Sequence, residues 1–120
     1  MKYWGIIMVF VLCGCKNSEN LIGKYENTFE SNVIHYVVLK KDHKFLHYYK
    51  KGNEDEKINK GVWSLEVTSK KREIKFNTWV DFGYIVGPPC EGCFKFVQIK
   101  DGEMIFSYDF PNEMNMLKTE

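Results

Sequence analysis

The chain has 120 residues, 44% of them hydrophobic and 28% charged, with a formal net charge of +1 at pH 7. This length predicts one folded domain, and the aromatic content of 16% argues against intrinsic disorder. Because the charges nearly cancel and form no basic stripe, we expect no nucleic acid partner.

The first fifteen residues have the pattern of an export signal. Lys2 supplies a positive charge, and residues 3–12 form an apolar run shorter than the roughly 20 residues of a membrane-spanning helix. The run ends in the sequence LCGC at residues 12–15, which resembles the lipobox of bacterial lipoproteins. The resemblance implies that Cys15 carries diacylglycerol and a further acyl chain such as palmitate, after cleavage before it. The alternative is an ordinary signal peptide that happens to contain cysteines.

These features divide the chain into a signal peptide (residues 1–14), the lipidated cysteine with a polar tether (residues 15–20) and a domain (residues 21–120). Two or three acyl chains hold a protein firmly at a membrane, since each buried methylene contributes about 0.8 kcal/mol. Lys16 stands where an Asp would direct inner-membrane retention. The resemblance therefore implies the outer membrane of a cell envelope, with the domain facing the periplasm or the surface.

Residues 21–120 alternate between apolar and polar side chains, and no stretch sustains helical periodicity. We predict an all-β fold, an antiparallel meander of about eight short strands that forms a barrel or half-barrel, because closure removes exposed strand edges. The strands are predicted near residues 22–28, 33–40, 44–50, 61–67, 72–78, 94–100, 103–109 and 113–118. Residues 55–60 could instead hold a brief helical turn, and Asp101-Gly102 predicts a two-residue hairpin.

Three short motifs resemble those of small lipocalin-like bacterial lipoproteins, which include the copper-resistance lipoprotein that senses envelope stress. They are GKY at residues 23–25, LKKD at residues 39–42 followed by Phe45, and GVWSL at residues 61–65. The resemblance implies a small barrel. His43 stands where that family has Gly at the end of a three-residue turn, so we predict a left-handed backbone conformation at His43.

This turn would place His35 and His47 on one face of neighbouring strands, as diagonal neighbours roughly 7–8 Å apart at the backbone. That separation is long for two ligands of one ion, although a third group could complete a site. The same face is apolar, so the other interpretation is two histidines at the edge of the core, hydrogen-bonded to tyrosines or water. A nearby cysteine would favour copper(I) or zinc.

Residues 79–87 are apolar, contain glycines and are more numerous than a hairpin needs. Exposed aromatic patches on loops tend to mark contact sites. We therefore predict a binding surface at Trp79, Phe82, Tyr84 and Ile85 that either covers the barrel mouth or presents anchors to a partner. A purely structural plug is the alternative.

Cys90 and Cys93 belong to the sequence PPCEGC at residues 88–93. In an oxidising compartment this pair predicts a small disulfide that pins the loop. Metal binding is the less favoured alternative, because a structural metal usually takes four ligands. The copper-resistance relative also carries a Cys-x-x-Cys, but early in its chain.

The sequence contains no Ser-His-Asp pattern, glycine-rich phosphate loop or HExxH motif. We therefore predict a lipid-anchored envelope protein that binds a small apolar ligand or a protein partner, without catalytic activity or a cofactor. One alternative is a copper- or zinc-responsive lipoprotein that uses Cys90 and Cys93, with His35 or His47. The other is an inhibitor or immunity lipoprotein that blocks an envelope-directed enzyme.

Overall fold

The chain closes into a β-barrel. The structure, a computed structural model, describes residues 20–120, so the predicted signal peptide and Cys15 lie outside the described residues. The elements are β1 (Gly23–Asn27), β2 (Val33–Leu39), β3 (Lys44–Lys51), β4 (Lys57–Val67), β5 (Arg72–Val80), β6 (Glu91–Lys100), β7 (Glu103–Ile105), α1 (Pro111–Met114) and β8 (Met116–Lys118). Neighbouring strands pair antiparallel in sequence order, and β8 pairs with β1. The predicted all-β meander and its closure are confirmed.

Several predicted strand boundaries are wrong. Residues 57–60 extend β4, because they pair with β3 as far as Tyr49, and they do not form a helical turn. β6 begins at Glu91, where it pairs with the end of β5. The predicted seventh strand ends early, at Ile105, and the helix α1 begins at Pro111, a residue suited to the first helical position.

The alternating sequence gives each strand an inner and an outer face. In β3, Phe45, His47 and Tyr49 are buried, whereas the residues between them are only partly buried. Burying one large apolar side chain contributes about 1.5–3 kcal/mol, so this filled interior is the main source of stability. The core consists of Leu21, Tyr25, Val37, Leu39, Phe45, Trp63, Ile74, Phe76, Trp79, Val97, Ile99, Met104 and Met116.

The connections between successive strands lie alternately at the two ends of the barrel. One end, which we call the turn end, carries the tight turns at residues 40–43, 68–71 and 101–102. Both ends of the described chain also lie there, since Lys118 Nζ donates a hydrogen bond to the Asn20 carbonyl and the Lys24 N–H donates to the Glu120 carbonyl. The opposite end, which we call the loop end, carries the longer connections at residues 28–32, 52–56, 81–90 and 106–115.

Two turns have the backbone predicted for them. His43 has a φ of +63°, and its imidazole stacks on the indole of Trp63 with ring centroids 4.6 Å apart. Asp101 and Gly102 both have positive φ, +51° and +76°, as a type I′ hairpin turn requires. Within residues 20–120, no helix is long and apolar enough to span a bilayer.

Candidate functional site

The loop over residues 81–90 folds across the loop end of the barrel. The partly buried ring of Phe82 packs against the rings of His47 and Tyr49, with centroids 4.6 Å and 6.1 Å away. Gly83 follows with a φ of +74°. A Cβ atom at Gly83 would lie 2.5 Å from Glu30 Oε1 and 2.7 Å from Tyr49 Cε2. The first half of the loop is therefore packed tightly onto the barrel.

Asp81 and a disulfide close the base of this loop. Asp81 Oδ1 accepts a hydrogen bond from Trp79 Nε1 at 2.9 Å, and its Oδ2 accepts one from the Cys90 N–H at 2.7 Å. The Asp81 N–H donates to the Cys90 carbonyl at 2.9 Å. Cys90 and Cys93 form a disulfide. The loop therefore has a fixed base from which it can present side chains.

Trp79 does not belong to the exposed part of the loop, contrary to the predicted binding surface. It lies in β5, only 2% exposed, and its ring stacks on His47 at 4.1 Å and packs against Phe76 at 4.6 Å. An irregularity in the pairing with β6 between Phe76 and Trp79 interrupts the alternation, and it keeps both rings in the core. The predicted surface is corrected accordingly by removing Trp79.

Three aromatic side chains from three different loops meet at the loop end. Tyr84 lies between Phe29 and Phe110, with ring centroids 6.0 Å and 6.3 Å away. Each of these side chains remains 37–48% exposed. We call these three residues the aromatic cluster. Of the three, the sequence predicts only Tyr84, because Phe29 and Phe110 lie far from residues 79–87 in the chain and come next to Tyr84 only through the fold.

The aromatic cluster is surrounded by acidic groups. Glu30 fixes Tyr84 in place, since its Oε1 accepts a hydrogen bond from the Tyr84 N–H at 3.1 Å and its Oε2 accepts one from the Tyr49 hydroxyl at 3.0 Å. Burial, together with the Glu30 carboxylate, raises the pKa of Tyr49 to about 12. The connecting segments at this end, which are residues 27–32, 51–57, 81–91 and 106–115, contain eight acidic and two basic residues.

An open cleft of about 440 Å³ adjoins the aromatic cluster. Its walls are charged and polar, and an aromatic side chain stands at its edge. A cleft with three carboxylates and two lysines in its walls does not suit an apolar small molecule. It is lined by Glu30, Tyr49, Lys51, Glu54, Asp55, Lys57, Gly83 and Tyr84.

Beneath the loop, His35 and His47 form a direct hydrogen bond. Their Nε2 atoms lie 2.9 Å apart and their ring centroids 5.1 Å apart, so one nitrogen donates and the other accepts. Among residues 20–120, the buried Nδ1 of His47 has no hydrogen-bond partner.

Burial keeps this histidine pair neutral. Desolvation lowers the pKa of His35 to about 4, and Glu30 opposes this only in part. Desolvation, and then the neighbouring His35, lower the pKa of His47 to about 3. The Asn59 side chain and the Val80 backbone oppose this lowering of the His47 pKa only in part.

The cavity beside the histidine pair is too small for an organic ligand. Its volume is about 20 Å³, room for one water, whereas small-molecule sites usually occupy about 300–1,000 Å³. Within the described chain, no three side chains among His, Cys, Asp and Glu are arranged to hold a metal ion. Ile85 is partly buried and lines this cavity with Met114 and Met116.

A second exposed aromatic pair lies on the side of the barrel and was not predicted. Phe94 and Phe96 point outwards from β6 and are 63% and 52% exposed. Lys75 Nζ lies 4.7 Å and 5.9 Å from their ring centroids. Both residues follow the Cys-x-x-Cys motif directly and belong to a predicted strand, of which one face is exposed to solvent. Strand alternation alone gives no sign that an outer face is aromatic.

The predicted binding residues thus separate into different environments. Tyr84 lies in the aromatic cluster, Phe82 and Ile85 support it from below, and Trp79 belongs to the core. Comparison of the chain with known protein families, curated proteins and solved structures found no match.

Proposed function

We propose that this protein is a lipid-anchored protein of the cell envelope that binds a protein partner through the loop end of its barrel, without catalytic activity. The LCGC sequence at residues 12–15 supports the anchor. The observation that carries the binding function is the aromatic cluster. Its three rings meet on the surface and remain exposed, and the central ring, Tyr84, stands on a loop held by Asp81 and Glu30.

A protein partner is favoured over a small apolar ligand. The interior of the barrel is filled, and the cavity beside His35 and His47 holds about 20 Å³. Rigid aromatic side chains surrounded by polar groups are instead typical of the central anchors of protein interfaces. A metal-responsive function has less support, because the disulfide leaves Cys90 and Cys93 without thiolates.

The acidic surroundings indicate the chemistry of the partner. Eight acidic residues against two basic ones in the loop-end segments would attract a basic surface and speed its association at low salt. The expected epitope therefore combines an apolar side chain, which packs on Tyr84, with Lys or Arg side chains that pair with exposed carboxylates such as Glu54 and Asp55. An inhibitor or immunity protein would use the same surface against a basic envelope enzyme.

Affinity capture of the lipidated full chain from its native membrane tests this proposal. We expect one dominant envelope protein to be captured by the wild type and lost with Tyr84→Ala and Phe29→Ala. The control is Ile58→Ala, since Ile58 is 48% exposed, like Phe29, but lies on the outer face of β4. Capture that is equal for all variants would contradict the proposed surface.

Two further measurements test the other parts of the proposal. Metabolic labelling with palmitate should mark the wild type and not Cys15→Ala, and an unlabelled wild type would contradict the anchor. Native mass spectrometry of the purified protein should show the mass of the lipidated chain alone. An additional apolar molecule released on unfolding would instead support the small-ligand alternative.

A further inference from the structure

The barrel is electrostatically polarised along its axis. The turn-end segments, which are residues 40–44, 68–72, 100–102 and 118–120, contain eight basic and three acidic residues. Seven of these eight basic residues are exposed, and the eighth, Lys118, is partly buried. The loop end carries the reverse balance, eight acidic against two basic. The nearly neutral chain therefore presents a positive end and a negative end.

The positive end is also where the tether enters the barrel. Leu21 is 4% exposed and packs in the core, and the carbonyl of Asn20 accepts a hydrogen bond from Lys118. Residues 16–20 separate this point from Cys15 and, fully extended, would reach at most about 18 Å. An anchor at Cys15 would therefore hold the basic turns near the bilayer surface, where electrostatic attraction acts over about 8 Å at physiological ionic strength.

We propose that the turn end docks on a surface of anionic phospholipid headgroups, so that the aromatic cluster at the loop end points away from the membrane. This inference rests on the proposed anchor at Cys15. The complementary charges supply the attraction, and the acidic loop end would be repelled by the same surface. Val67 is 66% exposed at the end of β4 and adds an apolar contact beside the turn at residues 68–71.

The test measures amide hydrogen exchange of the lipidated full chain in vesicles. Vesicles of phosphatidylcholine with 30% phosphatidylglycerol are compared with vesicles of phosphatidylcholine alone, each at low and high salt. We expect exchange in residues 40–44 and 68–72 to be slower on the anionic vesicles only, and high salt to remove the difference. Exchange in residues 81–90 should be the same on both.

A pair of variants isolates the charge. The triple variant Lys40→Gln, Lys41→Gln and Lys70→Gln removes three charges from the turn end. The control, Lys50→Gln, Lys75→Gln and Lys95→Gln, removes three charges from strand residues outside the turn end. Because one basic residue near an anionic surface contributes about fivefold, we expect the first variant to weaken docking by up to about a hundredfold, and the control to match the wild type.

Three results would overturn the docking proposal in a lipidated protein. These are equal exchange on neutral and anionic vesicles, equal behaviour of the two triple variants, or protection of residues 81–90 instead of the turns. Mass spectrometry of the same sample reports separately whether Cys15 is acylated. Failure of the anchor and failure of the docking are therefore distinguishable.

Discussion

The buried histidine pair should make the barrel unstable in mild acid. In an unfolded chain each imidazole has a pKa of about 6.5, whereas in the barrel the pKa values of His35 and His47 are lowered to about 4 and about 3. Between these values the unfolded chain binds the extra protons, so stability falls as the pH falls. Above about pH 6.5 the pair should contribute no pH dependence.

The expected loss is large compared with the stability of a small domain. Each histidine contributes a slope of up to about 1.4 kcal/mol per pH unit between pH 6.5 and pH 4.5. The two together would then remove up to about 5 kcal/mol, and less if the partly buried His35 keeps some contact with water. Since small domains are stable by about 5–15 kcal/mol, the barrel should approach unfolding near pH 4.5.

Urea unfolding, followed by the fluorescence of the buried Trp63 and Trp79, measures this effect at half-unit steps of pH. The variants His35→Gln and His47→Gln should lower the stability at pH 7.5 but show about half the wild-type slope below pH 6.5. His43→Gln is the control, because His43 is exposed in a turn, and it should keep the full slope. Parallel slopes for the wild type and His47→Gln would refute the assignment of the acid sensitivity to this pair.

Three further sets of variants test the loop end by urea unfolding. Gly83→Ala should cost about 1–3 kcal/mol, because its Cβ would meet Glu30 and Tyr49. The control Gly87→Ala has a similar positive φ but open space, and an equal loss in both would exclude the steric explanation. The double variant Cys90→Ser, Cys93→Ser should lower the free energy of unfolding by up to about 2 kcal/mol, the chain-entropy value for a disulfide loop this short. An unchanged urea midpoint in both this variant and the reduced wild type would show that Asp81 closes the loop alone. Asn115→Ala should cost about 2–3 kcal/mol, since the buried amide oxygen accepts from the Phe106 and Ser107 N–H groups. Asn115→Asp should not recover that loss at pH 7, because a carboxylate oxygen would replace the amide group that donates to Glu103 Oε2; full recovery would contradict this assignment.

The regular half of the barrel could be predicted because its turns fix the strand register. The three-residue turn ending at His43 implies that Leu39 faces Phe45 and that His35 faces Tyr49, and both pairs are confirmed. Once the register is known, strand alternation places His35 and His47 on the inner face. The direct hydrogen bond between them was not predicted, because it depends on side-chain rotation and not on backbone spacing.

The loop end could not be predicted in the same way. The irregular pairing near Trp79 breaks the period of two, so the alternating pattern no longer tells which side chains face the core. After β7 ends at Ile105, the backbone N–H groups of Phe106 and Ser107 donate to the Asn115 side chain and not to a neighbouring strand. No hydrophobic pattern in the sequence indicates this role of Asn115. The aromatic cluster depends on contacts between residues far apart in the chain, Phe29 with Tyr84 and Tyr84 with Phe110.

The charge polarity links the fold to the proposed function. In an up-and-down meander, successive connections alternate between the two ends of the barrel, so any charge pattern that alternates from one connection to the next becomes a separation in space. Here the connections at residues 51–57 and 81–91 are mainly acidic, whereas those at residues 40–44 and 68–72 are mainly basic. The overall charge of +1 is therefore the sum of a positive surface at one end of the barrel and a negative surface at the other. Because Asn20 lies at the basic end, the anchor that we propose at Cys15 would leave the acidic, aromatic end as the one that a partner can reach.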